Sequence, residues 1–165
     1  MIRVSRLGDY AIVLMAAIAR SASGRAATAR ELADVTRVPT PTVSKILKTL
    51  AREGLLLSQR GKSGGYTLAR EAKDISVAQI ISAIEGPIAL TECLAGQPSV
   101  CALQTGCPCR TNWNRINRAV LEALDKVRLD TMVPPEHGHP SAPPTGGLQV
   151  RSRATDSQGA TEVDE

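Results

Sequence analysis

Four cysteines, Cys93, Cys101, Cys107 and Cys109, lie within seventeen residues, and the remaining 148 residues contain none. Thiols crowded this way in one loop suit a metal or a metal–sulfur cofactor better than a set of covalent staples. The spacing is C-x7-C-x5-C-x-C. Zinc fingers and ribbons usually present C-x2–4-C pairs, and no such pair occurs. Unequal spacings suit an iron–sulfur cluster at least as well, since its iron atoms sit at separated corners. Gly96, Pro98, Gly106 and Pro108 punctuate the loop and let it wrap a compact object. Two cofactors therefore stand open from the residues: an iron–sulfur cluster, 2Fe–2S or 4Fe–4S, or zinc.

Other chemistry is harder to place. A thiol–disulfide oxidoreductase expects C-x-x-C on a βαβ scaffold, and neither is present. Gly61-Lys62-Ser63 imitates the end of a phosphate-binding loop. That loop needs a glycine where Leu56 stands and a helix directly after, where Gly64-Gly65-Tyr66 follows instead. His137 and His139 fall in a Pro- and Gly-rich tail and read as solvated. No enzyme and no small-molecule substrate is expected. The apolar run Ala11–Ala19 is preceded by Asp9 and Tyr10 and followed by Arg20. It is too short to span a bilayer and reads as a buried first helix, not a leader. The expected setting is cytoplasmic, without membrane attachment, where thiols stay reduced.

The charge is divided along the chain. Residues 1–70 carry 12 Lys and Arg against 4 Asp and Glu, a balance of +8; residues 71–132 balance at −1 and residues 133–165 at −3. A basic amino-terminal half is the footprint of a polyanion, most often nucleic acid. With no Phe and 2% aromatic residues, the core must be built from Leu, Ile, Val and Ala, which favours packed helices over sheet.

The elements follow from periodicity and caps. Leu7, Ala11, Leu14 and Ile18 mark a first helix over about 7–22. Thr28 with Glu31 forms a capping box for a short second helix, which a turn at Thr36-Arg37-Val38-Pro39 ends. Thr40 is the expected cap of a third helix, with Pro41 in its first position. Val43, Ile46, Leu47 and Leu50 are that helix's buried stripe, and Gly54 its stop. Leu55–Leu57 and Tyr66–Leu68 flank Arg60-Gly61-Lys62-Ser63-Gly64-Gly65 as a hairpin. Ser76 and Gln79 open another helix, which stops at Gly86-Pro87.

Two short helices, a tight turn and a basic hairpin are the order of a winged helix-turn-helix. The third helix would enter the major groove of promoter DNA. Its outward face offers Thr42, Ser44, Lys45, Lys48, Thr49 and Arg52, with Thr40 at its start; hydroxyls and amines there can reach phosphates and base edges. On the wing, Arg60, Lys62, Ser63 and Gly64 are the contact candidates. A long helix is expected over 110–132. Trp113, Ile116, Val120, Ala123 and Val127 are spaced 3, 4, 3, 4 as in a coiled-coil seam, widened by Leu121, Leu124 and Leu129. A homodimer is expected, which suits paired half-sites. The fold class is mainly α. Residues 1–87 form the winged helix-turn-helix domain, 88–109 the cysteine loop, 110–132 the dimerisation helix and 133–165 a disordered tail.

Taken together, Arg60-Gly61-Lys62-Ser63-Gly64-Gly65-Tyr66, Ile84-Glu85-Gly86-Pro87 and the cysteines resemble the Rrf2 family of bacterial winged-helix regulators, over about residues 1–132. Leu90-Thr91-Glu92-Cys93, Cys107-Pro108 and Asn112-Trp113-Asn114-Arg115-Ile116-Asn117 look most like the branch that regulates SUF-type iron–sulfur assembly. The C-x7-C-x5-C spacing looks closer to the RirA branch than to the IscR branch. The resemblance implies a homodimeric transcription factor, a repressor, whose promoter affinity follows cluster state, with Cys93, Cys101 and Cys107 as ligands. IscR-like members place a histidine three residues after the last ligand cysteine, where this chain has Arg110. The fourth ligand is then Cys109 or, as in NsrR-like members, an aspartate near the start of the first helix, here Asp9.

Overall fold

In a computed structural model of the chain, residues 3–21, 25–61, 64–94, 101 and 107–133 are described. Helix α1 (Arg6–Arg20) starts where the Ser5 hydroxyl accepts the Gly8 N–H at 3.1 Å. Ala11, Leu14, Met15 and Ile18 recur at helical spacing and are all buried. The helix stops two residues earlier than its apolar pattern suggests, with the Ser21 N–H turned back to the Ile18 carbonyl at 3.1 Å.

Helix α2 (Ala29–Thr36) has the full capping box: the Thr28 hydroxyl accepts from Glu31 N–H, and the Glu31 carboxylate accepts from Thr28 N–H. Helix α3 (Thr40–Arg52) buries Val43, Ile46, Leu47 and Leu50, the stripe expected of it. Its cap differs from expectation. Pro39 occupies the cap position and no side chain caps the helix. Proline presets φ for helix entry, so Thr40 falls inside the first turn, where its hydroxyl cannot take the capping role.

Strands β1 (Leu56–Gln59) and β2 (Gly65–Leu68) pair antiparallel with Leu56 opposite Leu68 and Gln59 opposite Gly65. The sequence does not announce a third contributor. Ala27, just before α2, exchanges both backbone hydrogen bonds with Tyr66, at 3.0 and 2.9 Å. A Cβ on Gly65 would stand 2.7 Å from the Ala27 carbonyl oxygen. Glycine there lets the hairpin dock on the backbone that opens the helix pair.

Helix α4 (Val77–Glu85) begins with the expected box of Ser76 and Gln79, and Ser76 is fully buried. Helix α5 (Arg110–Lys126) is six residues shorter than the expected long helix. The chain leaves it at Val127, whose carbonyl accepts the Val77 N–H at 2.9 Å, and the Leu129 N–H returns to the Ile75 carbonyl at 2.9 Å. This antiparallel bridge between Ser76 and Arg128 competes successfully with helix continuation at β-branched Val127. Leu129 is consequently no seam residue. It is fully buried in the main core, together with Leu14, Met15, Leu47, Ile75 and Ile80.

Candidate DNA-binding surface and cysteine loop

The buried stripe of α3 fixes which of its side chains face out. Thr40, Lys45 and Lys48 are exposed, and Thr42 and Ser44 half-buried. Because no side chain caps α3, its first-turn N–H groups meet no side-chain acceptor there. An uncapped amino-terminus carries partial positive charge suited to a phosphate. Arg52 has a local partner, Glu53, at 3.3 Å. Lys45 and Lys48 are in no ion pair with described residues.

The wing presents Arg60 exposed at the end of β1. The Gly64 N–H closes the turn on the Gly61 carbonyl at 2.9 Å. A Cβ on Gly64 would lie 2.6 Å from the Gln59 carbonyl oxygen, so only glycine fits this bend. Lys62 and Ser63 lie outside the described residues. The structure thus sets Thr40, Thr42, Ser44, Lys45 and Lys48 on one helix, with Arg60 and Gly64 on a hairpin anchored to that helix pair through Ala27.

The cysteines lie on the other side of α4 in the chain. Cys93 is half-buried in a single 3-10 turn, Glu92–Leu94, and its Sγ lies 3.3 Å from the Thr91 hydroxyl. Cys107 is half-buried and Cys101 and Cys109 are exposed, all four as thiols. Backbone bonds join Cys107 and Cys109 to the start of α5: the Arg110 N–H donates to the Cys107 carbonyl at 3.3 Å, and the Trp113 N–H to the Cys109 carbonyl at 2.9 Å. Residues 95–100 and 102–106, with Gly96, Pro98 and Gly106, lie outside the described residues, as does the segment 134–165 with His137 and His139. Among the described residues no three of His, Cys, Asp and Glu are gathered closely enough to hold a metal ion. Asp9 is exposed in the first turn of α1, in an open groove with Arg3, Ser5, Arg6 and Glu85. The donor chemistry fits an iron–sulfur cluster or zinc: several thiols on a loop, two of them fixed beside one helix end.

One residue of this region has a role that the sequence does not assign. Asn117, within α5, accepts the Leu90 N–H on Oδ1 at 3.0 Å and donates from Nδ2 to the Ile88 carbonyl at 3.2 Å. Its side chain thereby fixes the segment leading into Cys93 against α5. The sequence offers two hints, its place in the Asn112–Asn117 motif and its residue type, since asparagine is a weak helix former in mid-helix.

Residues 4–135 match the model of a family described as Rrf2, iron-dependent transcriptional regulator. The chain belongs to the Rrf2 family. It is 32% identical over 136 residues to the HTH-type transcriptional regulator rrf2-like of Rhodobacter capsulatus, covering 80% of this chain and 89% of that one. Among solved structures it resembles CymR, the global cysteine regulator of B. subtilis, with TM-score 0.64 and 28% identity over 81% of this chain and 97% of that one. It also resembles IscR of T. potens, with TM-score 0.61 and 26% identity over 79% and 85%. This Rrf2 chain is therefore a DNA-binding transcriptional regulator with a winged helix-turn-helix, and its family comprises regulators, not enzymes. No helix among the described residues is long and apolar enough to cross a membrane.

Proposed function

We propose that this Rrf2 protein is a cytoplasmic homodimeric repressor that reads iron–sulfur status and controls SUF-type iron–sulfur assembly or other iron-related genes. Cys93, Cys101 and Cys107 would be the thiolate ligands, with Cys109 or Asp9 as the fourth. The observation that carries the reading is the Asn117 clamp. It ties the start of the cysteine loop to α5, while the bridge at Arg128 ties the end of α5 to the cap of α4. When bound, the cluster supplies iron–thiolate bonds across residues 93–109. The chain's own part is mechanical. An ordered loop holds Ile88 and Leu90 on Asn117, and α5 then keeps one position against α4 and the reading head. Across a two-fold axis, that position sets the spacing of two α3 helices, and DNA affinity is sensitive to half-site spacing.

Support also comes from the family's iron-dependent description, which favours iron over zinc. CymR is named for cysteine regulation, so the fold alone does not choose the signal. The thiol set in this chain supports an iron–sulfur signal. A switch of this kind requires different DNA affinities in the two states. Anaerobically purified protein is expected to show visible charge-transfer absorption with iron and acid-labile sulfide. It should also bind a genomic target fragment differently from the cluster-free form. Equal affinity of both forms across a salt series sinks the sensing role, and zinc without sulfide sinks the cluster itself. In Cys-to-Ser variants, loss of iron from Cys109→Ser but not Asp9→Asn assigns the fourth ligand.

A further inference from the structure

Among the described residues, Arg37 is the one non-glycine residue with positive φ, at φ 61 and ψ 17. It follows α2 directly, in the turn of the helix-turn-helix, where helices usually place glycine because a Cβ is disfavoured there. The conformation is held from both sides. The Arg37 N–H donates to the Ala33 carbonyl at 2.9 Å, and Val38 inserts into the core. The Thr36 hydroxyl donates to the Leu32 carbonyl at 2.6 Å, fixing the residue before it. The backbone therefore requires a left-handed residue at this position, while the arginine side chain takes no part in holding it.

That side chain is exposed and has no ion pair among the described residues, although Asp34 stands three residues upstream. Arg25 and Arg52 of the same half are engaged, with Glu31 and Glu53, whereas among the described residues Arg37 stays unpaired like Lys45 and Lys48 of the outward α3 face. Arg37 lies two residues before Pro39 and the uncapped first turn of α3. Non-glycine residues persist in the left-handed region where the surrounding structure holds them, and they cluster at functional sites. We propose that Arg37 is a phosphate contact of the reading head, gripping the DNA backbone beside the amino-terminus of α3. This follows from the turn geometry and holds whatever the cysteine loop binds.

The probe is a mixed-sequence DNA duplex, on which phosphate contacts dominate. Each phosphate neutralised contributes about −0.9 to the slope of log K against log salt. Arg37→Gly is expected to fold with an unchanged or higher melting temperature and to bind with a slope shallower by about 0.9. The affinity gap to the parent protein then widens about eight-fold for each ten-fold dilution of salt. Arg37→Lys should keep the parent slope. Lys73→Ala, which removes a charge paired with Glu71, serves as the control and should leave the slope unchanged. The proposal is overturned if Arg37→Gly keeps the parent slope, as a charge acting only on the carboxyl end of α2 would predict. It is equally overturned if Lys73→Ala shifts the slope as far, since the effect would then be net charge alone.

Discussion

Helix α3 buries four side chains in thirteen residues, whereas α5, four residues longer, buries none. The reading head closes upon itself: α1, α2, α3, α4 and the foot of β1 share one apolar core, and each of α1, α2 and α4 has a side-chain cap. Helix α5 half-buries Asn117, Val120, Leu121 and Leu124 against its own chain and leaves Trp113 and Ile116 39% and 46% exposed. Its polar fixed points are the Asn117 clamp and the bridge past Lys126, beyond which Leu129 enters the core. A region secured by its own core keeps one shape. A region secured by two polar joints and an apolar edge depends on what covers that edge, which is what a switch element needs.

The sharpest way to break this contrast is to make the same deletion in both regions. Leu47→Ala in α3 removes a fully buried side chain and should lower unfolding stability by about 2–5 kcal/mol in urea titration. Ile116→Ala in α5 should cost under about 0.5 kcal/mol at dilutions where the chain is monomeric, as for an exposed site. Equal losses at both positions would mean that α5 belongs to the same core and is no partner surface.

Placing a charge on the exposed edge sharpens the point. In the proposed dimer, Ile116→Asp buries an unpaired carboxylate at the centre of a helix–helix contact. An interface hot spot is worth about 2 kcal/mol or more, so self-association measured by sedimentation should weaken by about 30-fold. The monomer's helical signal should stay the same. An unchanged association constant would remove the two-fold partner from α5.

The two regions also differ in how far the sequence discloses them. In the reading head, period and caps speak together. Val43, Ile46, Leu47 and Leu50 repeat at helical spacing and are buried, and both capping boxes form as their residue types require. The misses there are local. Thr40 loses the cap because Pro39 already has the right φ, and the Ala27 bridge is a backbone contact that no side-chain pattern encodes. On α5 the periodicity was a poorer guide. The 3–4 spacing runs through Val127, yet the helix stops before it because a backbone bridge to the segment before α4 forms there. Leu129 fits the seam equally well by spacing and is instead in the core. Apolar spacing reports that a face is buried, not what buries it. For the cysteines, the sequence supplies a donor set, and the structure adds the Asn117 and α5 attachments of its two ends.

Asn117 is a smaller lever than either apolar site. Asn117→Leu keeps the branched heavy-atom skeleton and leaves the Ile88 carbonyl and Leu90 N–H without their partner. Loss of such bonds is worth about 1–1.5 kcal/mol, and it should appear locally. Amide exchange at Leu90 should quicken by about ten-fold while protection in α3 is unchanged. Unaltered exchange at Leu90 would show that the loop's start is held by something other than this amide.

The smallest expected effect separates the two capping boxes. The box on α2 uses Glu31, which is ionisable; the box on α4 uses Gln79, which is not. Hydrogen bonding from the Thr28 backbone N–H, with the Thr28 side chain and Arg25 adding to it, holds the Glu31 carboxyl below its ordinary value of 4.5. A carboxylate lowered on folding contributes stability that is present above the unfolded value and lost as pH falls through the lower folded value. The α2 cap therefore weakens on acidification below about pH 4.5, whereas the buried Ser76–Gln79 cap beside the α5 bridge does not respond. Because Glu31 is solvent-accessible, screening keeps the effect small. Melting temperatures of the parent protein and Glu31→Gln should converge as pH drops through the acid range and separate, parent higher, toward neutrality. A constant difference across that range would mean that the Glu31 charge does not secure α2, and that both joints resist acid equally.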